Sequence, residues 1–197
     1  MSDNIVARAD ELFDKANKLR ANYPFQKLAI ERFGNIHFVG SSITNLMTDP
    51  DIDSNILVPD IRNKKGLILD FVESLTEIKE CRKICLYNRL YEATPCLIIN
   101  VERFVFEDET WTITFFFEES DFQGSFEMTN RIEEAVANGQ RNLILELKDY
   151  RLKEGLKRKI PSALLYEAVI DHGIKNTNSF KSFLAGKGID LTPEGTD

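Results

Sequence analysis

Two aspartates separated by a single residue, Asp51 and Asp53, are the side chains of this sequence that point most clearly to chemistry. They open the apolar run 51–58, and side chains two apart on a strand project from the same face, so Ile52 is predicted to enter the core. Carboxylates held this close repel, and one stays protonated unless a cation neutralises the pair. Mg²⁺ prefers oxygen ligands and commonly joins one or two carboxylates to phosphate oxygens, so the spacing predicts a magnesium site.

A glycine-serine turn, Gly40-Ser41-Ser42, ends the preceding apolar stretch 36–40. Glycine lets the backbone approach a ligand closely, and free amides and serine hydroxyls donate hydrogen bonds to phosphate oxygens. Either feature by itself is common in surface loops that bind nothing. In this order, with Asp51 ten residues after Ser41, the two features together predict a site for a metal ion and a triphosphate.

The elements that must position these groups follow from the apolar periodicity. Two helices are predicted before residue 34, and two short strands flank the polar loop that follows. A helix then begins at Asn63. A hairpin spans 96–117 with its turn at Glu107–Glu109, and helices follow Gly124. This order predicts an α+β fold in which a lobe with a β-sheet is followed by an α-helical lobe. We expect the sheet-containing lobe to span 1–124, the helical lobe 125–190, and a disordered tail 191–197.

Composition narrows the possible functions. A chain of 197 residues that is 43% apolar can bury a core as one large domain or two small lobes. Its formal net charge of -7 gives no overall attraction to nucleic acid or to anionic lipid, so we expect no membrane binding and no binding of duplex DNA. The start of the sequence lacks a signal-peptide pattern, and the three cysteines lack metal-ligand spacing, which together favour a cytoplasmic protein with free thiols.

The stretch 38–58, FVGSSITNLMTDPDIDSNILV, resembles the signature of the nucleotidyltransferase superfamily related to DNA polymerase beta. That signature is an apolar strand, Gly-Ser, about nine residues, and Asp-x-Asp on the next strand. The hairpin and the helical segments up to residue 172 are similar in layout to the non-canonical poly(A) and poly(U) polymerases and related minimal transferases. The resemblance covers about residues 34–172 and implies a nucleotidyltransferase-type mixed β-sheet flanked by helices.

This resemblance also implies a reaction: transfer of a nucleoside monophosphate from a nucleoside triphosphate (NTP) such as ATP to an acceptor hydroxyl, with release of pyrophosphate. Asp51 and Asp53 would hold one or two Mg²⁺ ions, and the Gly-Ser turn would bind the terminal phosphates. Lys148, on a later helix, would reach the same phosphates. The acceptor stays open among an RNA 3′ end, a tRNA, a small hydroxylated molecule and a protein side chain.

Three positions depart from the family pattern: Asn45 replaces the usual loop glycine, Pro50 replaces the usual small residue before Asp51, and Thr112 is the most consequential. The third carboxylate of the family, which helps to bind metal and activates the acceptor hydroxyl, matches Thr112 in this sequence. A threonine hydroxyl does not act as a general base near neutral pH. Two further functions therefore remain open: a catalytically inactive fold that binds nucleotide or a partner protein as a sensor or regulatory subunit, and a synthase that joins nucleotides to one another.

Six basic residues are concentrated in 148–159 of this otherwise acidic chain. They would form either a positive wall that faces a triphosphate or an RNA acceptor, or a solvated helix end that the helix dipole favours. Sequence spacing does not separate these two interpretations.

Overall fold

The computed structural model describes residues 2–120 and 123–192. Along the chain the elements are α1 (Ser2–Asn22), α2 (Phe25–Phe33), β1 (His37–Val39), α3 (Ser41–Thr44), β2 (Asp51–Leu57), α4 (Ile61–Thr76), β3 (Lys83–Asn88), β4 (Cys96–Phe106), β5 (Glu109–Glu118), α5 (Gln123–Ala135), α6 (Arg141–Lys153), α7 (Ser162–Ile170) and α8 (Thr177–Gly186). A five-residue π-helical segment, Val136–Gln140, joins α5 to α6 and contains Gly139 at a φ of 83°. The predicted order of elements, with helices, strands and hairpin before a helical block, is confirmed.

The five strands form one mixed sheet in the order β1-β2-β5-β4-β3. β2 runs parallel to β5, and every other neighbouring pair is antiparallel. The predicted hairpin is β4 and β5, and its turn is tighter than expected because only Glu107 and Asp108 adopt positive φ while Glu109 already belongs to β5. Positive φ at both turn residues suits the twist of a two-residue hairpin. The mixed sheet expected from the family resemblance is therefore present.

Sequence periodicity did not predict β3, the edge strand. Residues 83–88 are largely exposed, so neither of their faces shows the apolar alternation that identifies a half-buried strand. The start of α4 also differs from the prediction: the helix begins at Ile61, two residues before Asn63, because Asp60 adopts a φ of 59° and turns the chain. Aspartate reaches this left-handed region more readily than most residues.

Two apolar clusters form the interior. One lies between the sheet and α1, α2 and α4 and contains aromatic side chains such as Phe71, Phe104 and Trp111; the other is formed mainly by α5–α8. α1 contributes to both, because Leu12 packs in the first cluster and Ala9 in the second. The division at residue 124 remains a prediction, and residues 193–197 of the predicted tail lie outside the described residues. Within the described ranges, no helix combines the length and apolar character required to cross a lipid bilayer.

Candidate active site

The turn after β1 lies beside the start of β2 because these two strands pair antiparallel, with Val39 opposite Asp53. Gly40 adopts φ 72° and ψ -149°, a region that only glycine reaches without strain. A Cβ atom at Gly40 would lie 3.7 Å from Oδ2 of Asp53. The backbone of the turn is therefore held close to one of the two predicted metal-binding carboxylates.

Replacement of Gly40 by alanine is expected to destabilise the protein by about 1–3 kcal/mol, because the added Cβ makes this backbone conformation strained. Urea denaturation of the purified variant measures the change. The matched control is Gly66→Ala, which lies inside α4 with open space around the position where its Cβ would be. Alanine is a better helix former than glycine, so the free energy of unfolding of the Gly66→Ala control should exceed that of wild type by roughly 0.5–1 kcal/mol. A stable Gly40→Ala protein would contradict the strained-turn interpretation.

Asp51 and Asp53 line one polar cavity of about 130 Å³ together with Gly40, Ser41 and Lys148. Five of the six predicted site residues thus converge. The sixth, Ser42, is buried outside this cavity, and its hydroxyl donates to the carbonyl oxygen of Val39 at 3.4 Å. As predicted from the strand alternation, Ile52 between the two aspartates is fully buried in the core.

Burial is the main influence on the pKa values of the aspartate pair, and the charge of Lys148 offsets this effect only in part. Burial, reinforced by the charge of Asp53, raises the pKa of Asp51 to about 7. Oδ1 of Asp51 is buried and has no hydrogen-bond partner. Burial also raises the pKa of Asp53, although a hydrogen bond from Thr114 partly opposes this shift. Both carboxylates would regain favourable interactions if a cation lay between them.

Magnesium fits this donor set. Among the described residues, no group of three His, Cys, Asp or Glu side chains has an arrangement that would hold a metal ion, so the acidic groups form a pair and not a triad. Mg²⁺ is commonly bound through one or two carboxylates, with substrate phosphate oxygens and water completing its six ligands. The unpartnered Oδ1 of Asp51 is the oxygen that such an ion would satisfy.

Strand β5 supplies hydroxyl groups beside the two aspartates. In the parallel register, Thr112 lies opposite Asp51 and Thr114 opposite Asp53. The side chain of Thr114 lowers the pKa of Asp53 and so partly offsets the effect of burial. The neighbouring Trp111 and Ile113 are buried on the other face, which confirms the predicted alternation. The family's third carboxylate therefore has no acidic counterpart at either threonine position.

Lys148 forms a buried cationic wall of the cavity. Only 3% of it is exposed, its Nζ donates to the carbonyl oxygen of Leu46 at 2.6 Å, and Nζ lies 5.7 Å from the ring centroid of Tyr166. Burial, assisted by the charge of Arg151, lowers the pKa of Lys148 to about 7. A bound anion would reverse this shift by stabilising the ammonium form.

Sequence reasoning missed Thr48, Asp49 and Ser162, which line the same cavity, whereas Arg151 and Lys157, which also line it together with Tyr166, belong to the basic stretch that the sequence singled out. The spacing of Lys148 and Arg151 on α6 carried a usable signal, because residues three apart on a helix are neighbours on its surface. The basic residues of the stretch 148–159 differ in how deeply they are buried. Lys148 and Arg151 are buried, whereas Lys153, Lys157 and Lys159 form ion pairs with aspartates. Burial thus separates two enclosed basic residues of this stretch from three that form ion pairs, and the role of the stretch towards a ligand remains a prediction.

No protein-family model and no curated protein sequence matches this chain. Several solved structures, however, match this chain. A cytoplasmic RNA terminal U-transferase matches with a TM-score of 0.56 at 13% identity, covering 80% of this chain and 49% of that one. The Cid1 RNA terminal uridylyl transferase matches with a TM-score of 0.59 at 13% identity, covering 85% and 52%. Terminal uridylyl transferase 4 from Trypanosoma brucei gives a TM-score of 0.50 at 10% identity, covering 94% and 58%.

This chain has the nucleotidyltransferase fold. At these identities the likeness establishes the fold alone, and the chain spans about half the length of the solved structures that it matches. The fold predicted from the Gly-Ser and Asp-x-Asp signature is confirmed.

An apolar cavity of about 410 Å³ adjoins the polar one in this nucleotidyltransferase fold. The two share Gly40 and Tyr166, and the apolar cavity extends along α5 past Met128 and Ile132. Its position places an apolar, nucleoside-sized space directly beside a polar space that contains carboxylates and cations.

Proposed function

We propose that this chain is a Mg²⁺-dependent nucleotidyltransferase that moves a nucleoside monophosphate from an NTP to a hydroxyl acceptor, with release of pyrophosphate. One observation carries the proposal: Asp51, Asp53 and the buried Lys148 line the same cavity beside the Gly40 turn. In that cavity, Oδ1 of Asp51 has no hydrogen-bond partner. In the part of the chain that the structure describes, the carboxylates and the lysine line one cavity without forming an ion pair, and together they could serve as the two halves of a site for a metal-bound triphosphate.

Each residue has a distinct part in this proposal. Asp51 and Asp53 would hold one or two Mg²⁺ ions, and such ions would neutralise the phosphate oxygens and the negative charge that develops on the oxygens around phosphorus. The Ser41 hydroxyl and the amides after Gly40 donate to the terminal phosphates, while Ser42 fixes the turn through its bond to the Val39 carbonyl. Lys148 adds positive charge on the same phosphates. Phosphoryl transfer depends mainly on such positioning and charge stabilisation.

The proposed acceptor is an RNA 3′ end, with a tRNA or a small hydroxylated molecule as alternatives. Support comes from the similar solved structures, which include RNA terminal uridylyl transferases and Cid1 in complex with its short product ApU. Cid1 has also been solved with MgGTP and with a UTP analogue, which supports Mg²⁺ and an NTP as ligands here. A cytoplasmic location is proposed on the same basis, since one of these proteins is described as cytoplasmic.

A second candidate function is nucleotide binding without transfer, in a sensor or regulatory subunit. The observation that favours it is the pair of threonines on β5, since Thr112 and Thr114 lie opposite the two aspartates where an acid would be needed. Neither of these two threonines can act as a general base for the acceptor hydroxyl. Metal and nucleotide binding are common to both candidates, so only product formation separates them.

The test is a transfer assay with Mg²⁺, each labelled NTP and an RNA oligonucleotide, in wild type and Asp51→Ala. The proposal expects labelled, elongated RNA with wild type and a loss of at least about 100-fold in Asp51→Ala, because the metal site loses one of its two carboxylates. NTP-dependent thermal stabilisation without product would instead favour the binding candidate. If no NTP stabilises the wild-type protein, both candidates are wrong.

A further inference from the structure

Asn45 follows α3, between the Gly-Ser turn and the aspartate pair, and is one of the positions that depart from the family pattern. Its φ of 54° lies in the left-handed region, which asparagine enters more readily than most residues. A glycine would provide the same backbone conformation without a side chain. The asparagine therefore adds an amide group at a point where the backbone alone calls for glycine.

The side chain of Asn45 lies in a hydrogen-bond network between α1 and α6. Its Nδ2 donates to Oδ1 of Asp10 on α1 at 2.9 Å. Arg141, the first residue of α6, donates from Nη2 to Oδ1 of Asn45 at 2.9 Å and from Nε to the backbone carbonyl oxygen of Asn45 at 3.1 Å. Nη2 of Arg141 also donates to Oδ1 of Asp10 at 2.6 Å. Three residues from distant parts of the chain thus form one closed network, and three of its four bonds involve Asn45.

The same helix, α6, is bound to the next residue of the loop through Lys148. Nζ of Lys148 donates to the carbonyl oxygen of Leu46 at 2.6 Å, and the amide of Leu46 donates to the carbonyl oxygen of Ser41 at 3.1 Å. Arg141 and Lys148 are seven residues apart, so they lie on the same face of α6 and about 10 Å apart along its axis. Two attachment points therefore hold α6 to consecutive loop residues, and one of them connects Lys148 to Ser41 of the turn.

We propose that Asn45 and Arg141 are positioning residues that fix the Gly-Ser turn at the distance from Lys148 that phosphate binding requires, an inference that rests on the proposed function. Both residues lie outside the polar cavity, so they act through the turn and α6 and not by contact with the nucleotide. A phosphate that accepts from Ser41 and from Lys148 needs both groups in place at once. A misplacement of about 1 Å costs up to about 100-fold in an enzyme, even when the change lies far from the reacting atoms.

Stabilisation of the fold alone is the competing explanation, because the ion pair of Arg141 with Asp10 also joins α6 to α1. The two explanations differ in what the folded protein does. If the network only stabilises the fold, its loss lowers the free energy of unfolding and leaves the nucleotide affinity of the folded protein unchanged. If it positions the turn against Lys148, its loss weakens nucleotide binding by the folded protein, and does so only where Lys148 is present.

The experiment is a double-mutant cycle on the dissociation constants of Mg-ATP and Mg-UTP, measured by calorimetry at a temperature where circular dichroism shows each protein to be folded. We expect binding to weaken about 10–30-fold in Arg141→Ala and about 5–10-fold in Asn45→Gly, which keeps the bond from Arg141 to the backbone carbonyl. In a Lys148→Gln background each change should cost less than about twofold, because residues that act through one another are not additive. Arg131→Ala is the matched control, since it removes an arginine that pairs with Asp171 after α7 instead of with the loop, and it should leave both constants unchanged.

Two results would overturn the inference while leaving the proposed function intact: wild-type affinity in Arg141→Ala and Asn45→Gly, or losses of the same size with and without Lys148. If wild type binds neither nucleotide, the proposed function itself fails. Should Arg141→Ala not fold, Asn45→Gly decides by itself, because it removes no charge and glycine adopts the required φ without strain.

Discussion

Asp51→Asn is expected to stabilise the metal-free protein and to abolish its stabilisation by Mg²⁺ and NTP. The asparagine removes the buried charge and its repulsion with Asp53, which together raise the pKa of Asp51 to about 7. Near pH 8, the free energy of unfolding of the metal-free variant should exceed that of wild type by roughly 1–3 kcal/mol. Urea denaturation with chelator, and thermal shift with Mg²⁺ and NTP, measure the two effects. Asp14→Asn, an exposed substitution on α1, is the control and should change neither.

The raised pKa of Asp51 also predicts how the stability of the metal-free protein depends on pH. Because the folded pKa of Asp51 lies above its ordinary value of 3.8, the folded protein holds a proton that the unfolded chain releases between these values. The contribution of Asp51 to the stability of the metal-free protein should therefore fall as pH rises from about 4 to about 7. Buried Glu118, whose pKa burial raises to about 8, contributes in the same direction, so the difference between wild type and Asp51→Asn isolates Asp51.

Metal binding should show the opposite trend, since Mg²⁺ requires the ionised carboxylates. Stabilisation of wild type by Mg²⁺ and NTP is expected to grow as pH rises through about 7. A metal-free Asp51→Asn protein that is less stable than wild type at pH 8 would contradict the account of a buried, unneutralised pair. So would a variant that is still stabilised by Mg²⁺ and NTP to the wild-type extent.

Thr112→Asp is expected to accelerate nucleotide transfer at least tenfold at saturating Mg²⁺ and NTP. Thr112 lies opposite Asp51 on the adjacent strand, so the new carboxylate would join the aspartate pair and supply a general base, a contribution worth about 10²–10⁴-fold where it is well placed. The metal-free variant should be less stable than wild type, because a third acid adds repulsion. Single-turnover transfer rates and urea denaturation measure the two effects.

Thr110→Asp is the matched control for this substitution. It makes the same change on the same strand and the same face, but at an exposed position opposite Val105. Transfer by Thr110→Asp should equal that of wild type. If Thr112→Asp is no faster, the lack of an acid on β5 does not limit the reaction. If wild type is inactive and Thr112→Asp is active, the threonine is the reason for the inactivity, and the binding candidate describes the natural protein.

The sequence by itself determined the features that depend on local geometry. Alternation along a strand places Asp51 and Asp53 on one face and Ile52 in the core, because the two-residue period is a property of the extended backbone. The same period separated Thr112 from Trp111. The conformation of Gly40 was foreseeable for a similar reason, since a turn close to a carboxylate calls for a residue without a side chain. These local rules, together with the resemblance to the nucleotidyltransferase superfamily, predicted the fold and five of the residues that line the cavity.

Only the tertiary structure decided which charges are buried and what they face. The stretch 148–159 concentrates six basic residues without distinguishing between them, yet α6 packs so that Lys148 and Arg151 are enclosed while Lys153 is exposed. Burial depends on the elements that pack over a residue, and those elements come from distant parts of the chain, such as Leu46, whose carbonyl accepts from Lys148. The cost of burying these charges arises from that enclosure and is therefore invisible in the spacing of the residues.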